Sequence, residues 1–187
     1  MKTPSRKYAF TWDVIGCDMG DARPKLGAHT TVEVYRLLQF TLRDVLEQHY
    51  GTAKADQLFF EAGVLAGKAF FARYCNDAKD LASLTKKIRD EFRELGIGVV
   101  RFEKTDLETM TFQLTVDEDL DCSGLPDSSD YICIYDEGFI KGIFDSFTGQ
   151  NFQVKEVDCW CSGARTCRFK AQLAPEGEDN KGIDGAD

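Results

Sequence analysis

The C-terminal part of the chain concentrates thiol and carboxylate side chains at spacings typical of a metal site. Cys159, Cys161 and Cys167 flank a Ser-Gly turn, Glu156 stands three residues before Cys159, and Cys133 lies further upstream. Thiolates and carboxylates are ligands that Zn²⁺ accepts in closed structural sites. The alternative is an ordinary β-hairpin whose cysteines are buried as small apolar side chains. The pattern alone leaves the two interpretations about equally supported.

The periodicity of apolar residues indicates which elements position these side chains. Three helices come first, and an antiparallel sheet with one inserted helix follows, so the predicted class is α+β. One apolar face of the sheet is indicated by the alternation from residue 109 to residue 116. The predicted helices run from after Thr31 to Gly51 and over 55–74, 80–95 and 136–147, and the predicted strands cover 97–103, 109–116, 152–160 and 166–173.

Composition excludes several classes of partner. The net charge of −9 over 187 residues argues against nucleic acid and against an anionic membrane surface. No apolar run approaches the roughly 18 residues of a membrane span, and no signal peptide follows the basic N-terminus. Seven cysteines without an export signal predict a reducing, cytoplasmic location, where cysteines bind metal or stay free.

The residues around the cysteines resemble a known family. A cysteine, a glycine-spaced helix and a glutamate–cysteine strand that turns back to Cys-Arg-Phe resemble the 4-vinyl reductase domain family. The resemblance covers about residues 31–173. It implies an α+β fold related to subunits of the vesicle-trafficking (TRAPP) complex, and a role as a cytoplasmic small-molecule sensor ahead of an effector. The residues that carry it are Cys133, Gly138, Phe139, Gly142, Ile143, Glu156, Cys159, Ser162, Gly163, Cys167, Arg168 and Phe169.

The resemblance also implies a zinc site, because aromatic-sensor members that bind zinc use three cysteines and a glutamate. At the matching positions the ligands are Cys133, Glu156, Cys159 and Cys167. Residues three apart on a regular strand face opposite sides, so convergence of Glu156 and Cys159 requires a bulge or turn at residues 157–158. Four protein ligands leave no open position, which makes such a zinc structural.

Two further thiols are left over by that assignment. Cys161 stands two residues after Cys159, which predicts the same strand face, and it either competes for the metal or is simply buried. Cys122 is the second spare. It follows an acidic segment, residues 117–124, that lacks the EF-hand spacing and is predicted to be a solvated loop.

A pocket for a hydrophobic or aromatic small molecule is predicted between the apolar face of the sheet and the helices. A filled core is the alternative for each residue singly. Gly63 and Gly67 stand four apart on the second helix, which indicates either tight helix packing or room for a ligand. The predicted pocket residues are Leu84, Ile88, Met110, Phe112, Phe139, Ile143 and Val154.

Catalysis is not expected. The chain has no G-x-G-x-x-G motif after a strand and no P-loop, and its two histidines, His29 and His49, lie in a loop and at a helix end. The predicted function is a small-molecule sensor with a structural zinc. The alternatives are a tetrapyrrole-related vinyl reductase or carrier, a thiol-based redox sensor and an assembly module.

The predicted organisation is an N-terminal extension (1–30), a sensor domain (31–173) and a disordered tail or linker (174–187) that leads to an effector. A homodimer is predicted from three features: small residues at Gly63 and Gly67 that another helix could approach, uncovered aromatic residues near the N-terminus, and the resemblance itself.

Overall fold

The structure is a computed structural model that describes residues 8–16, 19–128 and 132–175. A π-helical turn, Phe71–Cys75, continues the fourth helix. The packing of helices against an antiparallel sheet confirms the predicted α+β class. Within the described ranges the helices are α1 (Asp13–Gly16), α2 (Met19–Ala22), α3 (Val32–Tyr50), α4 (Thr52–Phe70), α5 (Leu81–Glu94) and α6 (Ile134–Thr148), and the strands are β1 (Val99–Asp106), β2 (Thr111–Asp117), β3 (Phe152–Asp158) and β4 (Cys167–Leu173).

The strands form one antiparallel sheet in the order β1-β2-β4-β3. Alternate side chains of β2, β3 and β4 are buried on one face, as the alternating pattern predicted. The register pairs Val116 with Cys167 and Leu114 with Phe169, so the buried rows of β2 and β4 lie side by side. The helices cover this face.

Helix α5 forms because its sequence satisfies both its N-terminus and its apolar stripe. Asp80 accepts a hydrogen bond from the Ser83 backbone N–H, and the Ser83 hydroxyl accepts one from the Asp80 N–H. Leu84, Ile88 and Phe92 lie on one face at helical spacing and are buried. The helix therefore lies with this face in the core.

Helix α6 is the central helix of the domain. Residues 137–144 are all buried, because α4 packs on one side of α6 and strands β3 and β4 lie on the other. Glycines on both helices bring the two backbones into contact: a Cβ at Gly67 would lie 2.0 Å from the Phe139 carbonyl oxygen, and one at Gly138 would lie 2.1 Å from the Phe60 carbonyl oxygen. Gly63 and Gly142 are similarly obstructed.

This contact decides between the two interpretations of the glycines on α4. Tight helix packing is confirmed, and space for a ligand at Gly63 and Gly67 is absent in the described structure. The expectation that these glycines await a helix of a second copy is wrong, because α6 of the same chain already covers them.

Helix α3 differs from the other long helices, since none of its residues is buried. It contacts α4 and presents an apolar stripe to the outside: Val34, Leu37, Leu38, Leu42 and Val45 are all exposed. No helix in the described ranges is both long and apolar enough to cross a membrane.

The segment before α3 is partly helical, whereas the sequence predicted it to be irregular. It contains α1 and α2, each four residues long. Trp12 packs edge-on against Tyr74 with the ring centroids 5.3 Å apart, so one of the aromatic residues assigned to a dimer contact is covered within its own chain. Most of the predicted tail, residues 176–187, lies outside the described residues.

Candidate functional site

Four cysteine side chains converge at one end of the sheet. The sulfur atoms of Cys122, Cys133, Cys159 and Cys167 all lie within 4.8 Å of one another, and all four residues are buried. The Sγ atom of Cys167 is 3.0 Å from that of Cys122 and 3.7 Å from that of Cys133, and the Cys133 and Cys159 sulfurs are 3.9 Å apart.

These separations suit a tetrahedral metal. They exceed the length of a disulfide bond, about 2.05 Å. Zinc–sulfur bonds of about 2.3 Å at tetrahedral angles place the sulfurs about 3.8 Å apart. The donor set is therefore one that a structural metal ion fits, and the cluster could hold such an ion.

Four different segments supply the thiols. Cys133 is the N-cap residue of α6, Cys159 follows β3, and Cys167 is the first residue of β4. The pairing of Cys167 with Val116, near the end of β2, brings it close to the loop that carries Cys122. In that loop Asp119 Oδ1 accepts hydrogen bonds from the backbone N–H groups of Asp121 and Cys122, which fixes the turn.

The predicted bulge after Glu156 is present. The pairing of β3 with β4 shifts register between Glu156 and Asp158, so the chain turns and Cys159 reaches the cluster. A 3₁₀ turn, Trp160–Ser162, follows, and the Ser162 hydroxyl accepts from the Cys159 N–H and donates to the Cys159 carbonyl. Strand alternation does not apply in this turn, so Cys161 is buried outside the cluster and does not share a face with Cys159.

Glu156 lies beside the thiols, but the fourth position of the compact group belongs to Cys122. The Oε2 atom of Glu156 accepts a hydrogen bond of 3.3 Å from the Cys133 N–H, and its Oε1 accepts none among the described residues. Burial raises the pKa of Glu156 to about 8. Three of the four residues predicted as ligands are thus together, and the choice between Glu156 and Cys122 stays open.

The thiols differ in their readiness to ionise. Hydrogen bonds from Cys122, Cys133 and Cys167 lower the pKa of Cys159, and those from Cys122, Cys159 and Cys167 raise the pKa of Cys133. Without metal the cluster therefore concentrates its negative charge on one sulfur. Binding of a cation would displace the remaining thiol protons, which makes metal affinity fall as the pH falls.

The acidic segment before Cys122 is not the solvated loop that the sequence predicted. Asp119 and Asp121 are only 2% and 4% exposed. The Tyr35 hydroxyl of α3 donates to Asp121 Oδ1 at 2.7 Å, and Arg36 donates to the carbonyls of Leu120 and Ser123. Burial raises the pKa of Asp119 to about 7, and the charge of Asp121 adds to this effect. The prediction failed because α3 covers the loop, a contact that local composition does not reveal.

An apolar cavity lies between the sheet and helices α5 and α6. Its volume is about 10 Å³, and all its lining side chains are apolar: Ile88, Phe92, Phe102, Leu114, Ile140, Ile143 and Phe144. Ile88 and Ile143 are two of the seven residues predicted for a ligand pocket. The other five do not line this cavity: Leu84, Phe112, Phe139 and Val154 are buried, and Met110 is half-buried and packs against the core.

Phenylalanines fill the space beside the cavity. Phe112 stacks on Phe144 with ring centroids 4.8 Å apart, and Phe139 packs edge-on against Phe92 at 5.5 Å. These contacts account for part of the aromatic excess as core packing. The cavity is smaller than the sequence suggested, and a role of its lining residues in ligand binding stays a prediction.

Known proteins share parts of this chain and most of its fold. The 4-vinyl reductase domain model matches residues 112–173, about a third of the chain, which includes Cys133, Glu156, Cys159 and Cys167. A vinyl-4-reductase family protein from Methanocaldococcus jannaschii superposes with a TM-score of 0.55 and 14% identity over 81% of this chain and 86% of that protein.

Two further solved structures have the same fold. The phenol-responsive sensory domain of the transcription activator PoxR, solved with phenol, gives a TM-score of 0.60 at 15% identity and covers 77% of this chain and 75% of its own. A trafficking protein particle complex subunit 3 from Naegleria fowleri, covalently bound to palmitic acid, gives 0.62 at 11% identity and covers 77% and 95%. The predicted resemblance to the 4-vinyl reductase domain family, with a fold like that of a trafficking-complex subunit, is confirmed.

Proposed function

We propose that this chain is a binding domain for a small apolar or aromatic molecule, that a structural zinc stabilises it, and that it passes its ligand state to an effector. The observation that carries the proposal is the cavity between α5, α6 and the sheet, whose lining is entirely apolar. Apolar walls inside a domain are typical of small-molecule sites. The PoxR domain, which shares this fold, was solved with phenol.

Ligand entry requires the cavity to enlarge. A volume of about 10 Å³ admits about one water-sized sphere, whereas cavities that bind benzene are on the order of 150 Å³. The walls belong to three different elements, since Ile88 lies on α5, Leu114 on β2 and Ile143 on α6. Outward movement of α5 or a change of rotamer at Phe92 would open the space, so binding couples to the position of helices. Such coupling is what a sensor needs.

The zinc would be held by Cys133, Cys159 and Cys167, with Cys122 as the fourth ligand and Glu156 as the alternative. A closed site of four protein ligands supplies no catalytic chemistry and contributes folding free energy. It would join the loop after β2, the N-terminus of α6 and the β3–β4 turn at one point.

Filling the cavity is expected to abolish ligand binding. Wild type and Ile143→Phe are compared by thermal unfolding in the presence of phenol, 1-naphthol or decanoic acid. A ligand at 100 times its Kd stabilises by about 2.7 kcal/mol, which raises Tm by roughly 5–10 °C in a domain of this size. We expect such a rise for wild type with at least one probe and none for Ile143→Phe.

The matched control is Leu84→Phe. Leu84 is fully buried but does not line the cavity, so this variant suffers a comparable packing cost while the site stays open. Its Tm should lie below that of wild type and should still rise with the probe. Equal loss of binding in both variants, or no response of wild type to any of the three probes, would contradict the proposed site.

The exposed stripe of α3 supports the predicted homodimer. An isolated helix of 19 residues draws little stability from its own hydrogen bonds, and most helices in proteins are stabilised by packing of their apolar face. On α3 that face points outward, with Leu38 69% exposed. We propose that a second copy covers it in a two-fold interface, which is the commonest closed arrangement.

A charge in this stripe should separate the two copies. Light scattering at micromolar concentration is expected to give twice the 21.0 kDa chain mass for wild type and a monomer for Leu38→Glu. Leu107→Glu is the control, because Leu107 is similarly exposed (63%) but lies in the β1–β2 turn. A monomeric wild type, or a dimer that survives Leu38→Glu, would exclude this interface.

A thiol redox sensor is the second candidate function, and the 3.0 Å separation of the Cys122 and Cys167 sulfurs favours it. Peroxide would oxidise this thiol pair to a disulfide and would itself be reduced to water. Burial of both residues slows such a reaction. Tightly held zinc in protein purified without added metal would make the thiols ligands and would disfavour this function.

A further inference from the structure

A second group of donor atoms adjoins the four thiols. One carboxylate oxygen each from Asp119 and Asp136 and the sulfur of Cys133 lie within 4.8 Å of one another. Asp119 and Cys133 are buried. Cys133 belongs to both groups, so its sulfur stands between the thiol cluster and the two carboxylates.

Carboxylate oxygens around this point lack partners. Asp121 Oδ2 and Asp136 Oδ2 are buried, and neither accepts a hydrogen bond from the part of the chain that the structure describes. Asp121 as a whole is only 4% exposed. A buried carboxylate without a partner is costly, so a cation or a proton must accompany it. Asp119 is better placed, since two backbone N–H groups already orient its Oδ1.

The local charge exceeds what one metal ion neutralises. Four thiolates and one Zn²⁺ leave two negative charges, to which Asp119, Asp121 and Asp136 can add three. Arg36 lies near this loop, but its guanidinium donates to the carbonyls of Leu120 and Ser123. Burial, followed by the charge of Asp121, raises the pKa of Asp136 well above its ordinary value, which shows how poorly this charge is compensated.

We propose that a second divalent metal ion binds Asp119, Asp136 and the Cys133 sulfur, and that the Cys133 thiolate bridges it to the ion held by the cysteines. The inference rests on the proposed metal in the thiol cluster. Two carboxylates and one thiolate suit a borderline ion such as Zn²⁺ better than Ca²⁺ or Mg²⁺, which select oxygen ligands only. The second ion therefore has a harder ligand set than the first and binds more weakly.

A surface cleft provides a route to this position. It has a volume of about 320 Å³ and reaches Asp119 between α3 and the 3₁₀ turn, with Arg36, Leu120 and Trp160 in its walls. None of the four cysteines lines this cleft, and each of them is 0% exposed. The second ion should therefore exchange readily with solution while the first is retained.

Zinc titration of the full chain tests the proposal. Metal-free protein is titrated with zinc, and the number of ions bound is read by native mass spectrometry, before and after treatment with a mild chelator. Wild type is expected to bind two ions, one of which the chelator removes. Asp136→Asn, which keeps the side-chain shape, should bind one retained ion. Its affinity for the second should fall by more than about 100-fold, the upper end of the loss caused by removing an outer-shell partner.

Asp119→Asn provides a second variant and should behave in the same way. Asp127→Asn is the matched control, because Asp127 is an exposed acid paired with Arg165 and should leave two ions bound. Circular dichroism checks that each variant is folded. A wild type that saturates at one ion, or two ions in both Asp136→Asn and Asp119→Asn, would overturn the second site. No bound ion in wild type would refute the cysteine site as well, so the two failures are distinguishable.

Discussion

Replacing Cys167 by alanine is expected to remove the cysteine-bound metal and to destabilise the domain. Cys167 is the first residue of β4 and lies 3.0 and 3.7 Å from two other sulfurs of the cluster, so its loss opens the site and breaks a tie between the sheet and α6. A metal at 1,000 times its Kd stabilises the folded state by about 4 kcal/mol, and this contribution disappears with the metal. Metal content and urea unfolding measure the two effects.

The identity of the fourth ligand follows from a comparison of single variants. Cys122→Ala is expected to strip the metal as Cys167→Ala does, whereas Glu156→Gln should retain it, because the sulfur of Cys122 completes the compact group. Cobalt substitution gives the readout, since the thiolate-to-cobalt absorption depends on the number of sulfur ligands. Cys161→Ala is the control, as a buried cysteine outside the group. Retention of metal in Cys122→Ala with loss in Glu156→Gln would instead support the ligand set implied by the family resemblance.

Replacing Gly67 by alanine is expected to destabilise the domain strongly, although alanine is the better helix former. The added Cβ would lie 2.0 Å from the Phe139 carbonyl oxygen, so α4 and α6 would have to separate. Overpacking in a core costs about 1–3 kcal/mol and at times more, which outweighs a gain of about 1 kcal/mol in helix propensity. Urea unfolding should show a lower midpoint with an unchanged slope.

Gly20→Ala is the matched control for this variant. Gly20 is helical, but no atom lies within 4 Å of the position that its Cβ would occupy. Its substitution should leave stability unchanged or raise it slightly. A Gly67→Ala protein as stable as wild type would mean that the two helices can separate at little cost.

The elements of this fold were predictable because each follows from local sequence. The stripe on α5 has helical spacing and its cap lies in the sequence, while the strand alternation from Met110 to Val116 fixes the buried face of β2. The bulge after Glu156 could also be inferred, since convergence with Cys159 required one. What remained uncertain was which helix covers which surface.

The parts of the site that were missed depend on such long-range contacts. Cys122 is separated from Cys167 by 45 residues and follows an acidic run that suggests solvent, so nothing local marks it as a ligand. The burial of Asp121 arises from Tyr35 on α3, 86 residues away. The aspartate at Asp119, which turns the chain toward Cys122, was the available signal, since such residues often fix tight turns.

The glycine contact between α4 and α6 limits how this domain can deform. Where side chains interdigitate, two helices can slide by exchanging rotamers, but here carbonyl oxygens rest against glycine Cα atoms and no rotamer is available. The helix pair should therefore behave as a single lever. Because Ile140, Ile143 and Phe144 of α6 line the cavity while its N-cap Cys133 belongs to the thiol cluster, a molecule that pushes on one end of the lever displaces α4 with it and stresses the other end.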